Sequence, residues 1–177
     1  MQPLKRIAIL GPESTGKTSL CAALAKHYHT SWAPEYAREY LTVHGTRYEY
    51  SDLLAIAKGQ VANEEAAAKV ANKLLFIDTD MHVMKVWSEF VFGKCDEWIL
   101  QQAEQRKYDL YLLCNTDLPW VKDEMREYPD PEIRVRLYNI YKNLLEMQSA
   151  PWVDISGGYE ERLQKAIAAV DRFIGKR

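Results

Sequence analysis

The chain has 177 residues, 47% of them hydrophobic and 27% charged, with a formal net charge of -2 at pH 7. That length suits one well-buried core, and the mixture is neither disordered nor disulfide-dense, so a single domain over residues 1–177 is expected. A near-neutral balance gives no bulk electrostatic drive toward nucleic acid or anionic membrane, so neither is expected as a partner and any phosphate affinity must be local.

The first strand is expected at "RIAIL" (Arg6 to Leu10), followed by a helix from Lys17 to about His27. A short extended piece, "SWAPE", leads to a helix "YAREYLTVHG" that Gly45 stops. Ser51 is expected to cap the next helix, in which Leu53, Leu54, Ala57, Val61 and Ala68 recur at helical spacing. Gly59 weakens that helix and, just before Gln60, marks a place of close approach. "LLFID" (Leu74 to Asp78) has the unbroken apolar run of a strand buried on both faces, and "DLYLLCN" (Asp109 to Asn115) and "PWVDIS" (Pro151 to Ser156) repeat it. Helical patterns cover Met81 to Phe92, Asp96 to Lys107, Pro131 to Gln148 and Tyr159 to Ile174. Alternating strands and helices predict right-handed βαβ units: a three-layer α/β fold with a mostly parallel five-stranded sheet. The three cysteines are scattered and odd in number, as expected of free thiols in a reducing cytoplasm. The apolar run of "MQPLKRIAIL" is too short for a signal peptide, and no run reaches membrane-spanning length, so a cytoplasmic location is expected.

Gly11, four residues, then Gly16-Lys17-Thr18, between a buried strand and a helix, form the P-loop pattern. Glycines let backbone N–H groups turn around phosphate oxygens while the helix presents its positive end. The nucleotide-binding set is therefore Gly11, Glu13, Ser14, Thr15, Gly16, Lys17, Thr18 and Ser19. Lys17 would reach the β- and γ-phosphates of ATP, the Thr18 hydroxyl would ligate Mg²⁺, and Ser14 and Thr15 are candidate extra donors. By composition alone this pattern turns up in roughly one chain in a hundred of this length, and the strand-before, helix-after context makes chance rarer still.

Further residues are candidates by position. Asp78 and Asp80 lie two apart, so while the chain stays extended they face the same way, one toward Mg²⁺ and the other as a base, and Asp80 alternatively caps the helix that follows. Glu35 follows the second strand at the carboxyl edge of the sheet, where open α/β sheets bind ligands, and Arg38 is either a phosphoryl clamp or a solvated helix residue. Arg126 belongs to an expected lid at about 117–136 that would exclude water. Arg134 and Arg136 read better as solvated helix residues. Trp120 is either core or a platform for an aromatic base. His82, the one histidine near this chemistry, is expected to be a bystander.

Taken together, "GPESTGKTSL", "PEYAREYL", "IAKGQ", "FIDTD" and "DLPWVKDEMR" resemble, in that order, the ribosylnicotinamide kinase domain of NadR-type proteins, from Ile7 to about Leu163. The resemblance implies a nucleoside-kinase type of P-loop fold and transfer of phosphate from ATP, with Mg²⁺, to the ribose 5′-hydroxyl of nicotinamide riboside. On that reading Lys17, Asp80 and Arg126 are catalytic, Thr18 and Asp78 hold the metal, and Glu35, Arg38, Gln60 and Trp120 hold the acceptor. Bifunctional members place a nucleotidyltransferase, and sometimes a DNA-binding region, ahead of this domain. This chain begins only a few residues before its first strand, so a stand-alone kinase is expected, with functional coupling to a separate adenylyltransferase left open. Glu124 departs from the pattern, standing where members often have Gly in W-V-x-D-G-x-R. Another nucleoside or nucleotide as acceptor, a regulatory ATPase acting on a protein, and a homo-oligomer remain open alternatives.

Overall fold

The computed structural model describes residues 3–175. Five parallel strands, β1 (Lys5–Leu10), β2 (Trp32–Ala33), β3 (Leu74–Asp78), β4 (Leu110–Cys114) and β5 (Trp152–Ile155), form one sheet in the order β2-β3-β1-β4-β5. The helices are α1 (Lys17–His27), α2 (Tyr36–His44), α3 (Tyr50–Val70), α4 (Met81–Phe92), α5 (Glu97–Gln105), α6 (Pro131–Glu146) and α7 (Tyr159–Ile174). Every strand and helix expected from the sequence is present, with ends shifted by a residue or two. One cap differs: Glu49 precedes α3, and its backbone N–H donates to the Asp52 carboxylate at 2.7 Å, so Ser51 lies inside the helix.

The sheet is buried on both sides because β1, β3 and β4 are apolar at successive positions, not alternate ones. Ile7, Ile9, Phe76 and Leu112 face a core closed by α1 and α7, whereas Ala8, Leu10, Ile77 and Leu113 face one closed by α3, α4 and α6. Burying each of the larger side chains contributes about 1.5–3 kcal/mol. A third cluster ties α2, α3, α4 and α5 together. The chain passes from β3 to β4 across β1, so the strand order reverses beside β1, and the crevice at its carboxyl end is where such sheets receive ligands. Among the described residues no helix is long and apolar enough to cross a membrane.

Candidate functional site

Residues Gly11–Gly16 leave β1 at that crevice. Gly11 has φ +142°, and a Cβ there would lie 2.7 Å from the Cys114 carbonyl oxygen, so only glycine lets the loop pass the end of β4. Asp80, Asp96 and Asp130 cap α4, α5 and α6 with their carboxylates, but α1 has no side-chain cap. Its first N–H groups and its positive end are thus left for an anion, at a helix N-terminus wrapped by a turn of backbone. Lys17 Nζ donates to the Pro12 carbonyl oxygen at 2.9 Å, a neutral partner that a phosphate oxygen would outcompete. The Thr15 hydroxyl donates to the same carbonyl at 2.7 Å, and the Ser14 hydroxyl accepts from Val121 N–H at 2.9 Å. The sequence offered both hydroxyls as phosphate donors. The Thr15 proton is instead committed to shaping the loop.

Asp78 ends β3 opposite Ile9 of β1 and is fully buried. Its Oδ2 accepts from the Thr18 hydroxyl at 2.6 Å, and among the described residues its Oδ1 has no hydrogen-bond partner. Burial first, then the Glu35 carboxylate, raise its pKa to about 6 against the pull of Lys17 and Thr18. A buried carboxylate oxygen left unpaired beside a hydroxyl at the phosphate loop suits Mg²⁺, which takes hard oxygens and commonly one or two carboxylates, completing its shell with water and phosphate.

The expectation that Asp78 and Asp80 face the same way is corrected. Thr79 between them has φ +75°, which ends the extended alternation. Asp80 Oδ1 instead accepts from the backbone N–H groups of His82 (3.0 Å) and Val83 (3.2 Å), and its Oδ2 lies 2.6 Å from His82 Nδ1. The Asp80 carboxylate raises the His82 pKa. Asp80 therefore caps and neutralises the start of α4, and it does not line the cleft.

A cleft of about 360 Å³ is lined by the phosphate loop and by Glu35, Tyr48, Trp87, Phe90, Glu124 and Glu127. Glu35 sits at the start of α2, within 3.5 Å of the Thr79 hydroxyl. Its backbone is fixed by Gln60, whose Oε1 accepts from Tyr36 N–H at 2.7 Å while Nε2 donates to the carbonyls of Pro34 (3.4 Å) and Asp78 (3.2 Å). Gln60 is 1% exposed and does not line the cleft, so the expected contact with an acceptor base is corrected. It ties the two strand ends that bear Glu35 and Asp78. Gly59 makes room for this: a Cβ there would fall 2.0 Å from the Tyr36 ring, the close approach the sequence marked.

Trp120 is corrected as well. Its indole N–H donates to Glu13 Oε1 at 3.2 Å and the ring lies outside the cleft lining, whereas Trp87 lies in that lining and donates to the Tyr48 hydroxyl at 2.9 Å. The Tyr48 hydroxyl in turn donates to Glu127 Oε2 at 2.8 Å. Glu13 was grouped with the phosphate ligands, but its carboxylate accepts from Trp120, from Glu127 N–H at 3.0 Å and from Tyr128 N–H, so it fastens the segment after β4 over the loop. Arg126 lines the cleft and donates to the Val121 carbonyl at 2.6 Å, and Arg38 pairs with Asp123 at 3.2 Å. Glu124 needs no left-handed backbone here, so its side chain adds charge to the cleft wall without strain. Arg134, read as solvated, is 5% exposed and donates to the carbonyls of Leu118 and Ser14. Arg162, which sequence reasoning missed, is 2% exposed and donates to the carbonyls of Thr15, Asn115 and Gly157.

Known proteins share this architecture. The chain is 29% identical over 98% of its length to the trifunctional NAD biosynthesis/regulator protein NadR of Escherichia coli (strain K12), and 28% identical to that of Salmonella typhimurium, spanning 44% of each relative. Crystal structures of NadR in complex with NR, and with NAD and AMP-PNP, superpose with TM-scores of 0.79 and 0.75 at 24% identity, over 98% of this chain and 52% and 50% of those chains. Thymidylate kinase from Ehrlichia chaffeensis follows at 0.65 and 11% identity, over 95% of this chain and all of its own. The fold is thus that of P-loop kinases. With the family model described as "AAA domain" matching residues 6–162, the chain belongs to that family of P-loop proteins.

Proposed function

We propose that the protein is a kinase that moves the γ-phosphoryl group of ATP to the 5′-hydroxyl of a nucleoside, with nicotinamide riboside as the acceptor. The observation that carries this reading is the continuous cleft: it is lined by an uncapped helix end with Lys17 and Thr18, backed by the buried Asp78, and by Glu35 with an aromatic and carboxylate-rich wall. The relative crystallised with NR and with AMP-PNP adds support from the same fold.

In this reading Gly11–Ser19 wrap the triphosphate, and Lys17 exchanges the Pro12 carbonyl for phosphate oxygens whose charge grows in transfer. Thr18 and Asp78 would hold Mg²⁺, which would offset charge on the phosphates. Glu35, which lines the cleft close enough to Asp78 to raise its pKa, accepts the proton of the attacking hydroxyl as its oxygen bonds to phosphorus and the bond to the ADP oxygen breaks. Asp80 acts indirectly by fixing α4. The stretch 117–136 serves as a lid: Glu13 latches it, the Arg38–Asp123 pair closes its far side, and Arg126 meets the transferring group. A pyridinium ring carries positive charge, and Trp87, Tyr48, Glu124 and Glu127 offer it π faces and carboxylates.

Coupled ADP release across a panel of ribosides tests the proposal. ADP release that depends on the riboside and is fastest with nicotinamide riboside is expected. Preference for uridine would move the acceptor to a neutral nucleoside, and release without any acceptor would make the protein an ATPase.

A further inference from the structure

Two buried arginines grip the phosphate loop from outside the cleft, at consecutive carbonyls. Arg134 Nη2, from α6, lies 3.1 Å from the Ser14 carbonyl oxygen, and Arg162 Nη1, from α7, lies 3.0 Å from the Thr15 carbonyl oxygen. Neither arginine lines the cleft, whereas Ser14 and Thr15 do, so each carbonyl is held from the side of the loop that its arginine occupies. In a planar trans peptide the carbonyl and the next N–H point in opposite directions. Holding Ser14 C=O outward therefore aims Thr15 N–H inward, and holding Thr15 C=O outward aims Gly16 N–H inward.

We propose that Arg134 and Arg162 are positioning residues that set the Thr15 and Gly16 amides toward a bound polyphosphate and polarise those two peptides as donors. The proposal rests on the reading of this loop as a phosphate cradle. It accounts for an arrangement that is costly otherwise: burying a guanidinium is unfavourable unless charge or good hydrogen bonds offset it. Arg162 has Asp117 as a partner. Among the described residues Arg134 donates only to carbonyls, its Nε has no partner at all, and burial lowers its pKa. The Glu13 carboxylate acts on Arg134 without an ion pair among the described residues, and a polyphosphate in the loop would add negative charge on the far side of a peptide whose dipole lies between them. Hydrogen bonds in series strengthen one another, so a cation on the carbonyl makes the N–H of the same peptide the better donor. Ser14 needs such restraint, since it holds φ +57° without being glycine. The two arginines also share their anchors with the stretch beyond β4, Arg134 through the Leu118 carbonyl and Arg162 through the Asn115 carbonyl, so the loop and that stretch are fixed by the same two side chains.

The test measures the affinity of the wild type and of Arg134→Met and Arg162→Met for tripolyphosphate and ADP by calorimetry, with the amide signals of Thr15 and Gly16 followed by NMR. Each variant should weaken tripolyphosphate and ADP by about tenfold or more, the cost of a lost hydrogen bond to a charged group, while leaving the affinity for nicotinamide riboside unchanged. The readout a merely structural role would not give is selective. Arg134→Met should shrink the ligand-induced downfield shift of the Thr15 amide, and Arg162→Met that of Gly16. Should Arg162→Met fail to fold, Arg162→Lys keeps the charge with fewer donors and should show the Gly16 effect in weaker form. Unchanged tripolyphosphate affinity in the folded variants, or equal loss at both amides, would overturn the clamp and leave the kinase reading standing. A wild type that binds neither tripolyphosphate nor ADP would overturn both.

Discussion

At the phosphate end of the cleft, the groups that would meet an anion come from the single stretch Gly11–Ser19, backed by the buried Asp78 on the strand next to β1. At the acceptor end, Glu35, Tyr48, Trp87 and Glu127 come from four separate segments brought together by α2, α4 and the irregular stretch before α6. The first end is built mainly from backbone, with Gly11 where the loop passes β4 and two buried arginines bonded to its carbonyls. The second is a wall of side chains joined in series, Trp87 to Tyr48 to Glu127. A backbone cradle suits a part of the substrate that never varies, the phosphates. A side-chain wall suits the part by which acceptors differ, because one substitution changes its shape or charge while the fold survives.

The sharpest way to break this comparison is to ask which carboxylate serves the acceptor. Glu35→Gln should lower kcat/KM by about 10²- to 10⁴-fold, the usual range for loss of a general base, with ADP affinity unchanged. Asp80→Ala should cost on the order of 1 kcal/mol of stability through loss of the α4 cap, with a far smaller effect on kcat. Thermal melts beside steady-state kinetics separate the two outcomes. A folded Asp80→Ala protein as inactive as Glu35→Gln would return the base to Asp80.

These two carboxylates also mark where the sequence was legible. The strand-loop-helix unit, the parallel sheet and the place of Asp78 follow from local patterns: an apolar run, glycines at fixed spacing, and an acidic residue ending a buried strand. Asp80 was misread because a single left-handed residue, Thr79, turns the chain, and nothing in the composition of "FIDTD" announces it. Gln60 and Trp120 were misread because each sits close to the cleft in sequence terms but spends its polar atoms behind it, on backbone and on Glu13. Trp87 lay within a helix already explained by its apolar face, which hid its role in the wall. Arg162 carried no local signal, since an arginine in an amphipathic helix reads as solvated until the helix is docked.

The phosphate end is tested next, through its buried charge. Asp78 has its pKa raised to about 6 from an ordinary 3.8, so between those values the folded protein holds a proton that the unfolded chain has lost. For this group stability falls as pH rises through that window, and keeping it ionised at neutral pH costs about 3 kcal/mol. Asp78→Asn should therefore raise the melting temperature at pH 7 and lose that advantage near pH 4, while the Mg²⁺ concentration needed for half-maximal activity rises tenfold or more. In the wild type the same Mg²⁺ requirement should climb as pH falls below about 6, because only the ionised carboxylate serves the metal. A melting temperature that drops at pH 7 in the variant would mean that the bond to Thr18 outweighs the buried charge.

The smallest expected effect discriminates most finely at the acceptor end. Trp87 lines the cleft and presents its ring beside Tyr48, with centroids 5.0 Å apart in an edge-to-face arrangement, whereas Trp120 is turned toward Glu13. A cation over an aromatic face is worth roughly 0.5 to 2 kcal/mol, or a factor of about 2 to 30 in affinity. Trp87→Leu should weaken nicotinamide riboside by that factor and uridine by less, since the neutral base forgoes only packing. Trp120→Leu should leave the ratio between the two ribosides where it was and act on both equally, by loosening the segment that Glu13 fastens. The measurement is kcat/KM for each riboside in the wild type and both variants. If Trp120→Leu alone alters the ratio, the segment must swing in closure to bring Trp120 onto the base, and the wall around Trp87 would be scaffold for that movement in place of the surface that reads the acceptor.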